Sequence, residues 1–337
     1  GTLVPCQSNG VTLGNAIPYN EACTSNSKKL NLIAGDDTFL NNPYSSLAKA
    51  IELIETFGED ILLRHQSDWL SGWFLNDWSH GEEGNNVKLG WNIINKSWPE
   101  SFEAYSLKKS IPVIKKSGCI LGEINQSIAN LLGTSEQLLV ISGTTDSNAA
   151  FIAAQVKENE GLTILGTTIV LKKIIKKTFN HPGITMHKVN GDLICGGSSN
   201  AGCGVLSNFF SDLEIEELSQ QINPRKKTAL NYLPLNSQGE RFPTNDPFLK
   251  PIIKPRPVSD ALFLQGLLEG LARIELKGWL KLKSFTGYLP KKIITIGGGS
   301  KNPQWKSIRE KTLKIPIKNS NKSTSFGSAL IALQADS

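Results

Sequence analysis

Three short glycine-containing turns each follow a segment that the sequence predicts to be a β-strand. They are Gly143-Thr144-Thr145-Asp146, Gly166-Thr167-Thr168 and Gly297-Gly298-Gly299. Glycine lets the backbone approach a phosphate closely, and threonine hydroxyls and free backbone N–H groups supply hydrogen-bond donors without adding charge. A turn that leads into a helix also places the helix N-terminus at the anion. One such turn is explained by ordinary chain reversal, whereas three at strand ends favour a nucleotide site.

Asp146 is the candidate catalytic residue, because it closes the first of these turns and opens a predicted helix. An Asp at this place commonly caps the helix or interacts with its dipole, and spacing alone favours that role. The functional alternative is a general base that takes the proton from a hydroxyl as it attacks a γ-phosphate. Phosphoryl transfer needs few chemically special residues, which suits a sequence without an obvious Ser-His-Asp set.

The sequence lacks the patterns of several other site classes. It contains no P-loop run and no Gly-x-Gly-x-x-Gly run. Five irregularly spaced cysteines and four histidines make no zinc or disulfide pattern, which favours a reduced, cytoplasmic protein. The net charge of +6 comes without an aromatic-interleaved basic motif, so no nucleic-acid partner is expected. No apolar run reaches the ~18 residues of a membrane span, so no membrane partner is expected either.

Alternating strand and helix patterns predict an α/β fold, and the length of 337 residues favours two lobes. Helices are expected over residues 45–57, 260–282 and 303–313, and a β-hairpin over 163–173. A strand over 192–195 is expected to lead into a glycine-rich loop over 196–204. The paired lysines, among them Lys172 and Lys173, are expected on the solvated surface, with an anion-steering rim as the alternative.

Taken in order, seven motifs resemble those of the FGGY carbohydrate kinases. They are GTTD (143–146), LGTTIVLK (165–172), GGSSN (196–200), GERFP (239–243), LQGLLEGL (264–271), GGGSKN (297–302) and FGSALIA (326–332). The chain looks most similar to the pentulose kinase branch, the D-ribulose and xylulose-kinase-like proteins, at residues 19–20, 45–49, 66–70 and 88–91. The resemblance implies the two-lobed actin-like ATPase (ribonuclease H-like) fold. The first lobe would comprise residues 1–153, completed by 320–337, and the second lobe residues 154–319.

This resemblance implies an ATP-dependent phosphorylation of a sugar hydroxyl, with Mg2+ as cofactor and a ketopentose such as D-ribulose as substrate. A D-xylulose kinase, a glycerol kinase or a catalytically impaired nucleotide-binding fragment are the alternatives. The partners would be the sugar and ATP. Substrate choice and oligomeric state stay open, because specificity depends on a few contacts in the cleft.

The resemblance also assigns roles to residues of this chain. Asp146 matches the catalytic base, which lies close to the magnesium, and Gly166, Thr167 and Thr168 match a phosphate-contacting hairpin. Gly297, Gly298, Gly299 and Asn302 match the adenosine motif, and Trp305 either packs beside the adenine or anchors its helix in the core. Asp68 and Asn85 match polar positions near the sugar, with a loop or cap role as the alternative. Glu240 and Arg241 match a structural loop.

The sequence departs from the family at the start. Family members begin with a strand-turn-strand that carries Asp-Phe-Gly-Thr-Ser or a similar motif and contacts phosphate and metal, and no such motif occurs here. The first lobe is therefore expected to be incomplete at its N-terminus, with an open sheet edge. This departure is the basis of the alternative in which the chain is a catalytically impaired nucleotide-binding fragment.

Overall fold

The computed structural model describes residues 1–37, 39–179, 181, 183–189 and 191–335. The chain is a mixed α/β protein, as predicted, and it divides into two compact units. The first unit comprises Gly1–Ala149, His187–Gly191 and the residues from Thr324 onward, and the second comprises Ala150–Met186 and Asp192–Ser323. The lobe boundaries predicted at 153/154 and 319/320 lie a few residues from these divisions. The last two residues of the predicted segment 320–337 lie outside the described residues.

The first unit contains short strands that pair two by two. They are β1 (Leu3–Cys6) with β2 (Leu62–His65), antiparallel; β3 (His80–Glu82) with β4 (Val113–Lys115), parallel; and β5 (Ile120–Glu123) with β6 (Leu139–Ile141), antiparallel. Its helices are α1 (Ser27–Ala34), α2 (Ser46–Phe57), α3 (Gln66–Leu75), α4 (Glu83–Asn86), α5 (Ser101–Ala104), α6 (Gln126–Leu132) and the start of α7 (Asp146–Ala153). Within the described residues, β6 has β5 as its sheet partner and its other edge is open.

Helix α2 shows how the sequence specifies the local structure of this unit. The Ser45 hydroxyl accepts a hydrogen bond from the Ala48 N–H at 3.0 Å, and Gly58 ends the helix with a positive φ of 86°. One face carries Leu47, Ile51 and Ile54, all buried in the core of the unit. The helix predicted over residues 45–57 is thus confirmed, because its cap signals and its apolar spacing agree.

A six-stranded sheet, which except for the last residues of β9 belongs to the second unit, forms the centre of that unit. Its strands are β7 (Glu160–Leu165), β8 (Ile169–Ile175), β9 (Ile184–Val189), β10 (Asp192–Ser198), β11 (Lys292–Ile296) and β12 (Ile317–Asn319), in the order β12-β11-β7-β8-β10-β9. Strand β11 pairs in parallel with β7 and β12, whereas β8 pairs antiparallel with β7 and β10. Because β7 and β11 are parallel neighbours, the turns over 166–168 and 297–299 leave the sheet at the same edge.

The remaining helices are α8 (Cys203–Ser207), α9 (Asp212–Gln220), α10 (Asp260–Thr286), α11 (Pro303–Leu313) and, in the first unit, α12 (Thr324–Leu333). Helix α11 has the predicted bounds. Helix α10 continues one turn past the predicted end, because Gly287 supplies the left-handed residue that closes it. No helix in the described ranges is both long and apolar enough to span a membrane.

Two expectations about the second unit are wrong. Strand β10 continues through Gly196 and Gly197, which pair with β8, so the glycine loop begins only after Ser198. Lys173 is fully buried rather than solvated. Its ammonium donates to the Tyr288 carbonyl at 3.0 Å and lies 3.5 Å from the centre of the Tyr288 ring, so the end of α10 and the residues after it provide the contacts that solvent would otherwise supply.

A buried ion pair ties the layers of the second unit together. Arg309 of α11 donates from Nε to Glu275 Oε2 at 2.6 Å and from Nη2 to Glu275 Oε1 at 2.8 Å, and both side chains are 1% exposed. The hydroxyls of Thr163 in β7 and Thr295 in β11 complete the network, at 2.6 Å from Glu275 and 3.0 Å from Arg309. Helices α10 and α11 are therefore fixed to the two central parallel strands.

Replacing Arg309 by Met should lower the free energy of unfolding by about 3–5 kcal/mol, because it leaves the Glu275 carboxylate buried without its countercharge. The matched control is Arg256→Met, which removes a half-exposed pair with Asp260 at 2.7 Å and should cost less than about 1 kcal/mol. Urea denaturation measures both. Equal losses for the two variants would show that the buried pair does not hold the unit together.

Candidate functional site

The turn over residues 143–146 joins β6 to α7. The Thr145 hydroxyl accepts a hydrogen bond from the Asn148 N–H at 3.3 Å, so Thr145 is the residue that caps the helix. Asp146 is the first helical residue, its side chain is exposed, and its Oδ1 accepts the Ser147 N–H at 2.7 Å. Because Thr145 takes the capping role that spacing suggested for Asp146, the Asp146 carboxylate is accessible to a ligand.

Lys88 provides the positive charge on this side of the unit. Burial lowers the pKa of the Lys88 ammonium, while the carboxylates of Asp146, Glu82 and Asp68 act in the opposite direction. The base candidate therefore lies in a local field that includes one ammonium and two buried acids.

A cavity of about 200 Å3 lies beside the 143–146 turn. Its walls come from α3, β3, α4, β5 and the end of β6: Ser67, Asp68, Leu70, Ser71, His80, Gly81, Glu82, Asn85, Leu121, Ile141, Ser142, Gly143 and Thr144. The structure thus brings Asp68 and Asn85, the two predicted sugar-binding residues, to the same cavity as the first residues of the turn. Its hydroxyl, amide and carboxylate groups suit a polyhydroxylated ligand.

The carboxylate of Asp68 is largely used within the protein. Its Oδ1 accepts the Glu82 N–H and its Oδ2 the Asn86 side-chain amide, each at 2.9 Å, and the residue is 4% exposed. Asn85 donates its side-chain N–H to Ser67 Oγ at 3.1 Å and to Glu82 Oε2 at 3.0 Å. These contacts agree with the loop role that was the alternative for both residues. Their contact with a sugar stays a prediction.

Glu82 is the residue of this site that the sequence analysis missed. Its carboxylate is buried and accepts four hydrogen bonds: from Gly84 N–H, Asn85 N–H and Ser117 Oγ at 2.7 Å each, and from Asn85 Nδ2 at 3.0 Å. Burial raises the pKa of Glu82 to about 7, against the opposing effect of these donors. The only local sequence signal for a role of Glu82 was its place before Gly84. This signal is weak, because two adjacent acids more often indicate a solvated surface.

The phosphate-turn candidates of the second unit meet at the end of β7. The loop over residues 199–204 binds the 166–168 turn, since Cys203 N–H donates to the Gly166 carbonyl at 2.9 Å. A Cβ on Gly202 would lie 2.4 Å from the Thr167 carbonyl oxygen, and one on Gly297, which has a φ of 94°, would lie 2.4 Å from the Leu165 carbonyl oxygen. Only glycine allows backbones to approach this closely, so packing requires both glycines.

Two neighbouring backbone positions face open space instead. A Cβ on Gly298 would meet nothing within 4 Å, and one on Gly166 would meet only the Thr168 carbonyl oxygen, at 3.8 Å. Thr167 is exposed at the tip of its turn. These positions leave room for a phosphate or a nucleoside against the backbone, so the sheet edge fits the predicted nucleotide site.

Asn302 and Trp305 have well-defined contacts within the protein. The Asn302 Oδ1 accepts the Trp305 N–H at 2.9 Å, which makes Asn302 the cap of α11, and its Nδ2 donates to Ser219 at 2.7 Å. Trp305 is 2% exposed and belongs to the core, which agrees with the core-anchor alternative. Nucleotide contacts of both residues stay predictions.

Glu240 organises the 199–204 loop. Its Oε2 accepts the Ser199 hydroxyl at 2.5 Å and its Oε1 accepts the Asn200 N–H at 2.8 Å. Arg241 donates from Nε to the Ser198 carbonyl at 2.9 Å. Both residues therefore have structural contacts, as the sequence analysis expected.

The described residues contain no group of three His, Cys, Asp or Glu side chains that could hold a metal ion. Magnesium commonly binds through one or two carboxylates together with substrate phosphates and waters, rather than in an all-protein cage. The exposed Asp146 carboxylate fits that mode of binding.

The buried position of Glu82 predicts a pH-dependent stability. Its pKa is about 7 in the folded protein against an ordinary 4.5, so its contribution is fully present below pH ~4.5 and is lost as the pH rises to ~7. The difference corresponds to roughly 3 kcal/mol. Glu82→Gln should flatten the stability profile across this window in urea titrations at successive pH values. An unchanged slope in the variant would contradict the raised pKa.

No family model matches the chain. A xylulose kinase of Staphylococcus epidermidis is 25% identical over 263 residues, which cover 72% of this chain and 52% of the relative. The chain thus spans about half the length of the curated relatives it matches.

Solved structures resemble the chain over nearly its whole length. A xylulose kinase from Brucella ovis superposes with a TM-score of 0.85 at 19% identity, covering 99% of this chain and 74% of that one. Plasmodium falciparum glycerol kinase with ADP superposes with a TM-score of 0.83 at 18% identity, covering 100% and 74%. The chain therefore has the fold of these solved sugar kinases, the actin-like ATPase fold that the sequence predicts.

Proposed function

We propose that the protein transfers the γ-phosphoryl group of ATP to a hydroxyl of a sugar. The observation that carries the proposal is the 143–146 turn, which presents an exposed carboxylate at a helix start beside a cavity whose walls include hydroxyl, amide and carboxylate groups. The fold adds support, because it is shared with solved xylulose and glycerol kinases.

Asp146 acts as the general base. The sugar hydroxyl loses its proton to Asp146 while its oxygen forms the bond to the γ-phosphorus. The bond between that phosphorus and the β–γ bridging oxygen breaks, and ADP leaves with the electron pair. The products are a sugar phosphate, ADP and a protonated Asp146, which returns its proton to solvent.

The 166–168 and 297–299 turns bind the nucleotide. Exposed Thr167 and the open backbone at Gly166 face the phosphates, and the open backbone at Gly298 faces the adenosine. These groups are neutral donors, so they bind the nucleotide without replacing the countercharge that magnesium supplies when bound. Asp146 would be its protein ligand.

The acceptor is a ketopentose, with D-ribulose as the first candidate and D-xylulose as the second. The motif at residues 66–70 that resembles pentulose kinases includes Ser67, Asp68 and Leu70, which line the cavity. Glycerol is the smaller alternative, in keeping with the glycerol kinase among the solved neighbours. A cytoplasmic location is proposed with it, since all five cysteines are free thiols.

A second candidate function is nucleotide binding without phosphorylation. The absence from the sequence of a motif like Asp-Phe-Gly-Thr-Ser, which in the FGGY kinases contacts phosphate and metal, favours it. This function predicts ADP binding in titration calorimetry while no offered sugar is phosphorylated. A sugar-dependent release of ADP would exclude it.

Asp146→Asn should lower kcat for the preferred sugar by about 10²–10⁴-fold with little change in the KM for ATP, because the amide cannot accept the proton. A coupled ADP-release assay with D-ribulose, D-xylulose and glycerol measures this. The matched control is Asp212→Asn, since Asp212 is also the first residue of its helix, after the cap Ser211. Undiminished sugar-dependent turnover in the Asp146 variant would refute the base assignment.

A further inference from the structure

Glu82 is linked to the segment just before the 143–146 turn. Its Oε1 accepts the Ser117 hydroxyl at 2.7 Å. The next two residues pair with Ser142, since Gly118 N–H donates to the Ser142 carbonyl at 2.7 Å and Ser142 N–H donates to the Cys119 carbonyl at 2.8 Å. Residue 142 directly precedes the turn, so Glu82 fixes the turn from its upstream side.

Glu82 is also linked to the segment just after Asp146. The same Oε1 accepts the Gly84 N–H at 2.7 Å, and a Cβ on Gly84 would lie only 3.4 Å from Asn148 Nδ2. Asn148 is fully buried, and its side-chain amide reaches the Thr144 hydroxyl at 3.4 Å. Gly84, which Glu82 binds, therefore lies next to the Asn148 side chain on the downstream side of the turn.

We propose that Glu82 is a positioning residue for the catalytic turn, and that its carboxylate clamps residues 143–146 from both sides so that Asp146 is held in place. The inference rests on the kinase function proposed above and adds a residue to that site. Glu82 acts through Ser117 and Asn148 and touches no reacting atom.

The physical basis is the cost of leaving any of the four donors without a partner. A buried acceptor that satisfies Gly84, Asn85 and Ser117 at once permits only one arrangement of these groups. Phosphoryl transfer depends mainly on positioning, and a displacement of about 1 Å in a reacting group can cost roughly 10²-fold in rate. A carboxylate that fixes both flanks of the turn is therefore expected to influence kcat.

Two readouts test the clamp: amide hydrogen exchange across residues 142–149, and steady-state kinetics with the sugar and ATP. Glu82→Gln and Ser117→Ala should each accelerate exchange in this segment about tenfold or more. Both should lower kcat about 10–100-fold at an unchanged KM for ATP. Ser117→Thr keeps the hydroxyl and should restore both values. The matched control is Glu83→Gln, the buried acid next in the chain and outside the clamp, which should leave both readouts at the wild-type value.

Every outcome of these measurements either supports or refutes the clamp. Should Glu82→Gln fail to fold, Ser117→Ala removes a single hydrogen bond and gives the answer alone. Wild-type exchange across 142–149 in a folded Ser117→Ala protein, with kcat unchanged, would overturn the clamp. If the wild-type protein phosphorylates no sugar, the kinase proposal fails, yet the exchange measurement still establishes or refutes the clamp independently of activity.

Discussion

The ion pair between Glu275 and Arg309 is the interaction on which the second unit depends. It joins the two longest helices of that unit to β7 and β11 through the hydroxyls of Thr163 and Thr295. These are the strands that end in the 166–168 and 297–299 turns. Two charges removed from water need hydrogen-bond partners besides each other, and here each of the two threonine hydroxyls supplies one. The geometry of the turns thus follows from a network several residues away.

Buried glutamates with hydrogen-bonded oxygens also occur at the other glycine turns. Glu240 binds Ser199 and Asn200 and so fixes the 199–204 loop, which packs on the 166–168 turn. Glu82 contacts both flanks of the 143–146 turn. In each case a buried glutamate accepts hydrogen bonds from backbone or hydroxyl donors beside a glycine turn. A buried carboxylate that loses its hydrogen bonds costs free energy. The neighbouring turn is therefore held in the conformation that keeps those hydrogen bonds.

The sequence predicts those parts of this architecture that depend on local pattern. Helix α11 begins at Pro303 and ends at Leu313 as expected, because its cap and its periodicity both lie within one stretch. The central hairpin is equally local. The strands of the first unit are three or four residues long, and β1 pairs with β2 some sixty residues away, so no local period specifies them.

The site is predictable to the same extent. The turns and Asp146 follow from strand, glycine and helix order. The burial of Trp305, Lys173 and Glu82 does not, since it depends on which distant segments cover them. The local sequence of the acidic pair before Gly84 is the same whether the acids are solvated or buried and hydrogen-bonded. Long-range hydrogen bonds such as that between Glu82 and Ser117 decide the matter, and they are absent from the local sequence.

The contrast between the anchoring acids and Asp146 supports the choice of base. Glu275, Glu240 and Glu82 are buried, and protein donors satisfy their oxygens. A carboxylate in that state cannot reach a substrate without breaking the network that fixes a turn. Asp146 is exposed, and Thr145 rather than Asp146 caps the helix. The carboxylate of Asp146 also interacts electrostatically with the ammonium of Lys88. Of the acids placed at the glycine turns, it is the one whose proton exchange leaves the scaffold intact, and that is the property a general base requires.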